Sequence, residues 1–83
     1  MSWHFAQGHT GLGNLYQRLG RPQDALAQFE IARQLDPDSW RAHAGEAIAA
    51  DALGDRDRAR AAARRTLELN PNQRDARRIL NTR

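Results

Sequence analysis

The amino-acid sequence predicts an all-α fold, an α-solenoid of antiparallel helix pairs made of two similar units and a terminal helix. Three observations predict it. The chain contains no valine and only three isoleucines, while alanine, leucine, arginine, glutamine and glutamate, all good helix formers, dominate. Sliding the chain by 34 residues aligns His9 with His43, Gly11 with Gly45, Leu19 with Leu53 and Gly20 with Gly54, and also Ala25 with Ala59, Ala27 with Ala61, Leu35 with Leu69 and Pro37 with Pro71. Eight identities in that register compare with about two expected by chance. Finally, glycine or proline follows each of the first four predicted helices, so the period reads as helix–turn–helix.

The first helix is placed at about 4–19, ended by Leu19-Gly20 with the glycine in the left-handed closing position. Pro22 opens the second, at about 22–35, where a first-turn proline is tolerated. Asp36-Pro37 ends it, because proline disfavours helical geometry in the residue before it. Asp38 and Ser39 cap a third helix at about 39–53, closed by Leu53-Gly54. Asp55 caps a fourth at about 56–69, which Asn70-Pro71 ends, and Asn72 caps a fifth at about 73–81. Ala25, Leu26, Phe29, Ala32 and Leu35 form a stripe that buries one face, with Leu12 and Tyr16 beside them in the core. The second unit offers less bulk, with Ala50, Ala59, Ala62 and Ala63 in the corresponding places. Trp40 is placed as a wedge against Leu35 and Pro37 at the junction.

Gly8, Gly11 and Gly13 suggest a rival reading, a phosphate-cradling loop. It fails twice. Eighty-three residues make one small domain with no parallel sheet to hold such a loop. Asn14 and Leu15 also stand where lysine and Ser/Thr would bind phosphate and Mg²⁺. The glycines are therefore read as packing residues, at ~1 kcal/mol each in helix stability.

The first unit reads His9-x2-Leu12-Gly13-x2-Tyr16, then Ala25-x3-Phe29, then Pro37. This pattern resembles the tetratricopeptide repeat, W-x2-L-G-x2-Y…A-x3-F…P, with His9 replacing the tryptophan. The second unit is degenerate: His43, Glu46, Ala47 and Ala50 fill the first four slots, and Ala59, Ala63 and Pro71 complete it. The resemblance implies two tetratricopeptide-like repeats plus a terminal helix. One domain would span residues 1–83, with the first repeat at about 6–39, the second at about 40–73 and a terminal or capping helix at about 74–83. It also implies that Gly13, and Ala47 in the second unit, sit at the closest approach of paired helices, facing Ala25 and Ala59. Glu46 occupies the apolar slot of Leu12. A displaced helix is the plainer reading of it, and pairing with His9, His43 or an arginine is the other.

Composition narrows function further. Without cysteine there are neither disulfides nor thiolate metal sites. No apolar run reaches the roughly 18–20 residues of a membrane span, and "MSWHFAQGH" lacks the basic start and apolar core of a signal peptide. A cytoplasmic location is the default. All thirteen basic residues are arginine, a bias that GC-rich bacterial coding produces.

Chemistry is sparse. His4 and His9 are five residues apart, about 140° around a helix, so they share no ligand face. His9 and His43 occupy matching slots and are read as flat rings packed between helices. No Ser/His/Asp or Cys/His set is credible, since the chain has no cysteine and so small a solenoid has no deep pocket to shelter a triad. The chain is read as non-enzymatic, with no cofactor and no metal.

The resemblance implies a groove lined by the first helix of each unit, holding an extended peptide or partner helix. Carried over, its residues are Gln7, Thr10, Gly11, Asn14, Gln17 and Arg18, then Arg41, Ala44, Gly45, Ile48, Asp51 and Ala52, then Asp75, Arg78, Ile79 and Thr82. Asn14 matches an asparagine that holds a C-terminal carboxylate in the chaperone-binding members. The rest of that clamp is absent, because Thr10 and Asp75 stand where lysines belong, Gly45 replaces asparagine and Ile79 replaces arginine.

The partner expected is thus a protein or peptide. A segment of a longer repeat array is the alternative role. Arg56, Arg60 and Arg64 form a basic stripe at i, i+4 and i+8, joined by Arg65, Arg74, Arg77 and Arg78. Nucleic acid would want aromatics among them for stacking, and none occurs between Trp40 and Arg83. A solvated convex face accounts for the stripe. Weak homo-oligomerisation is expected through uncapped ends, with Trp3, Phe5, Ile79 and Leu80 at the contact. The charge asymmetry, four Arg against six Asp/Glu in residues 1–53 and nine against four in 54–83, permits it.

Overall fold

The computed structural model describes the backbone of residues 2–82 and the side chains of residues 5–82. Five helices follow one another: α1 (Ser2–Arg18), α2 (Pro22–Leu35), α3 (Trp40–Ala52), α4 (Arg56–Leu69) and α5 (Arg74–Asn81). No strand occurs among the described residues. Each helix packs on the next, and α3 also touches α1 and α5, so it is the central element.

The 34-residue register reappears in the turns. Gly20 has φ 72° and Gly54 φ 80°, the left-handed region open to glycine. After α1, the Arg21 amide donates to the Tyr16 carbonyl at 2.9 Å and the Gly20 amide to Gln17 at 3.1 Å. After α3, Asp55 donates to Ala50 at 2.9 Å and Gly54 to Asp51 at 3.1 Å. Both are the paired 6→1 and 5→2 bonds that close a helix on a left-handed residue. The helix starts also follow side-chain chemistry. Ser39 caps α3 by accepting from the Ala42 amide, and Asp55 caps α4 by accepting from Arg58 at 3.2 Å. The cap of α5 is Gln73, not Asn72: its side-chain oxygen accepts from the Ala76 amide at 2.8 Å, while the Asn72 backbone turns back onto the Asn70 side chain.

Most of the core is alanine. Ala47, Ala50, Ala59, Ala62, Ala63, Ala76 and Ile79 form one cluster under α3, α4 and α5. Phe29 anchors the other, with Ala25 and Ala49, and is fully buried. Its ring passes between α1 and α3: a β-carbon added at Gly13 would lie 2.7 Å from it, and one added at Gly45 closer still. Gly13 is therefore a packing residue, as expected. Gly45, placed in the groove by sequence, is one as well. Gly8 and Gly11 are not, because a β-carbon at either would meet open space. Leu12 and Leu35 are also exposed rather than central. Leu12 lies 100° around α1 from Gly13, the residue that faces the ring.

Glu46 is buried, yet α3 is unbroken around it. The arginine pairing is the reading that the structure shows. Arg58 Nε donates to Glu46 Oε2 at 3.0 Å, and Arg33 Nη1 stands 3.4 Å from Oε1. Arg58 also bonds Glu30, so the cluster ties α2, α3 and α4 together. The Glu30 bond, with Glu46 adding to it and burial opposing, holds the Arg58 guanidinium above its ordinary value.

Candidate functional site

Five residues of α1 define one side of the site. Ala6, Gln7, Thr10, Gly11 and Asn14 recur at helical spacing, so they share a face. With Asp36, Asp38 and Ser39 of the loop, and Trp40 and Arg41 at the start of α3, they line a cavity of about 620 Å³. A smaller cavity of about 210 Å³ continues it across Asn14, Trp40, Arg41, Ala44, Gly45, Ile48 and Gln73. Adding 34 to Gln7, Thr10, Gly11 and Asn14 gives Arg41, Ala44, Gly45 and Ile48. The repeat thus supplies both walls from equivalent positions.

Of the residues predicted for the groove, Gln7, Thr10, Gly11, Asn14, Arg41, Ala44, Gly45 and Ile48 line these cavities. Thr10 is buried, and its hydroxyl donates to the Ala6 carbonyl at 2.9 Å. Ile48 is half-buried against the alanine core. Gln17, Asp51 and Arg78 line neither cavity. Arg78 instead stands 3.6 Å from Asp51 and 3.8 Å from Asp75, an ion pair that links α5 to α3. Ile79 belongs to the core, not the groove, and is buried away from the expected end-to-end contact, while Leu80 is half-buried against that core. The Trp3 side chain and Arg83 lie outside the described residues.

The loop residues were missed by sequence reasoning. Trp40, read as a wedge, lines both cavities, and the Arg41 guanidinium lies over its ring, 4.6 Å from the centroid. Asp38 is held by Arg65 at 3.3 Å, which ties the loop to α4. A groove defined only by helix faces has no place for Asp36, Asp38 and Ser39. The Asp36-Pro37-Asp38-Ser39 string between two helices was the available signal.

The site is polar without being strongly charged. Gln7 and Asn14 offer amide donors and acceptors, Asp36 and Asp38 carboxylates, Arg41 a guanidinium and Trp40 an aromatic face. Such a lining suits a chain of peptide groups better than a compact anion. A third cavity, of about 380 Å³, lies among Arg33, His43, Glu46, Arg58 and Arg65, whose charged groups are paired. His43 Nε2 donates to the Pro37 carbonyl at 2.7 Å, and His9 Nδ1 is bonded to Gln28 Oε1 at 2.8 Å. On α4, Arg60 reaches the carbonyls of Leu80 and Thr82 at 3.5 and 3.3 Å, so it serves the end of α5 and interrupts the basic stripe. No helix of the described residues is long and apolar enough to cross a membrane.

A sequence model described as "Tetratricopeptide repeat" matches residues 10–74. No curated protein matches the chain.

Proposed function

The chain belongs to the tetratricopeptide repeat family, whose repeats mediate protein–protein interaction, and from this premise we propose that the α1–α3 groove holds an extended peptide of a protein partner. The observation that carries the reading is the register of the two walls. Gln7, Thr10, Gly11 and Asn14 on α1 correspond to Arg41, Ala44, Gly45 and Ile48 on α3, and together they line two adjacent cavities that share Asn14, Trp40 and Arg41. The Gln7 and Asn14 amides give affinity through hydrogen bonds to the peptide backbone, while Trp40 selects an apolar or aromatic side chain. The role is that of a non-enzymatic scaffold, with residues 6–39 and 40–73 acting as one binding unit. Gln17, Asp51 and Arg78 flank the peptide's exit.

The test is selection of short random peptides displayed against the folded chain, followed by calorimetry with the selected sequence. Asn14→Ala and Trp40→Ala are expected to weaken binding by about tenfold or more, the scale of a lost buried hydrogen bond or aromatic contact. Arg64→Gln, at a residue that lines neither cavity, should leave it unchanged. Equal loss in all three variants would contradict the assignment.

A further inference from the structure

Six of the seven large apolar side chains exposed among the described residues belong to the first helix pair. Phe5 is 67% exposed, Leu12 38%, Leu15 47% and Leu19 60%. With Gly8 they fall at positions 5, 8, 12, 15 and 19, the alternating three- and four-residue spacing of a coiled-coil seam. Helical geometry puts all five within about 80° of arc. This arc points away from the groove residues Thr10 and Asn14. Ile31 and Leu35 on α2, exposed in the same way, extend it past the His9–Gln28 bond that joins the two helices.

The seam is self-complementary. No Asp, Glu or Arg occurs in α1 before Arg18, although 23 such residues populate the whole chain. Two copies of this face can therefore meet about a twofold axis with no like charges opposed, as an isologous contact requires. Shape adds direction. Gly8 leaves open space where a side chain would stand, and Leu12, one turn on, projects. Among the described residues nothing packs where its β-carbon would stand, and a glycine there weakens the helix it sits in.

We propose that two copies of this chain associate through antiparallel α1 helices, with Leu12 of each seated over Gly8 of the other. Phe5 of each copy then lies against Leu15 of the other. The open apolar surface is on the order of 400 Å² per copy, about 800 Å² for the pair, which is below the ~1,000 Å² of a stable specific interface and in the range of a transient contact. Association is consequently reversible and weak. It leaves the groove open, since the groove residues occupy another face of α1.

Sedimentation equilibrium from about 10 µM to about 1 mM spans the range in which such an interface assembles. The mass of the native chain is expected to rise from 9.4 kDa towards twice that value. Phe5→Arg and Leu15→Arg, both at exposed positions, should keep the helical circular dichroism and raise the dimer Kd at least about tenfold. Leu53→Arg, at an exposed leucine on the second unit, should not. Register is read by cross-linking, because the chain has no cysteine. On oxidation, a mixture of Gly8→Cys and Leu12→Cys chains should give the mixed disulfide in preference to either homodimer. A constant 9.4 kDa throughout the range would overturn the proposal and leave this face to a preceding helix pair or another protein. So would a dimer indifferent to Phe5→Arg and Leu15→Arg, or cross-linking without preference for the mixed pair.

Discussion

The ring of Phe29 on α2 fills the space that a β-carbon would take at Gly45 on α3, so one aromatic side chain of the first repeat is keyed into the second. In a core made mostly of alanine, this contact keys the two units together. Alanine is the better helix former by ~1 kcal/mol, so Gly45→Ala would stabilise an open site. Here the buried ring cannot retreat, and overpacking of about 1–3 kcal/mol should win. The opposite sign is expected for Gly8→Ala, which meets open space and should stabilise the monomer by about 0.5–1 kcal/mol. Phe29→Ala should cost about 3–5 kcal/mol. Urea denaturation of dilute monomer measures all three, and a stabilising Gly45→Ala would refute the packing described.

Glu46 gives a second contrast. Arg58→Met leaves its buried carboxylate with only the more distant Arg33, and breaking a buried pair costs about 3–5 kcal/mol. Glu46→Leu restores the apolar residue that the first repeat has at Leu12, and replacing a buried ion by hydrocarbon is expected to be neutral or stabilising by about 1–4 kcal/mol. The guanidinium of Arg58 is held above its ordinary value by Glu30 first, so its contribution is complete below the ordinary arginine range and is lost only as pH rises through the higher folded value. Its charge state therefore adds no slope to stability near neutral pH. A large loss of stability in Glu46→Leu would contradict this account.

Gly20 and Gly54 close α1 and α3 with positive φ. Replacing either with alanine forces a β-carbon into the left-handed region, at about 1–2 kcal/mol. The two substitutions should be nearly equal and additive, because the turns are equivalent and well separated. Thermal melts of the single and double variants check this, and an unchanged melting temperature would deny the strained turn.

Much of this architecture was legible because its signals are local. Gly20, Gly54, Pro22 and the residues before Pro37 and Pro71 set the helix limits through backbone geometry that the sequence carries in itself. Half of the predicted groove lines the cavities, Gln7, Thr10, Gly11, Asn14, Arg41, Ala44, Gly45 and Ile48, and it followed from the family resemblance carried onto this chain. What was not legible depends on three-dimensional proximity. Phe29 reaches Gly45 over 16 positions, Glu46 finds Arg33 and Arg58 on two other helices, and Arg78 is drawn to Asp51 rather than left facing the groove. The contribution of Asp36, Asp38 and Trp40 required knowing how the loop folds back beside α1. The exposure of Leu12 likewise follows from which face of α1 the Phe29 ring meets.

The central claim is that the α1–α3 groove is the binding surface, and amide NMR during titration with a selected peptide tests it most directly. The account predicts that Gln7, Asn14, Trp40, Arg41 and Ile48 shift first and together, at peptide concentrations that leave Arg56 and Arg64 unmoved. Shifts confined to the Arg56–Arg65 segment, with binding that falls steeply as salt is raised, would contradict it and place the interaction on the basic face instead.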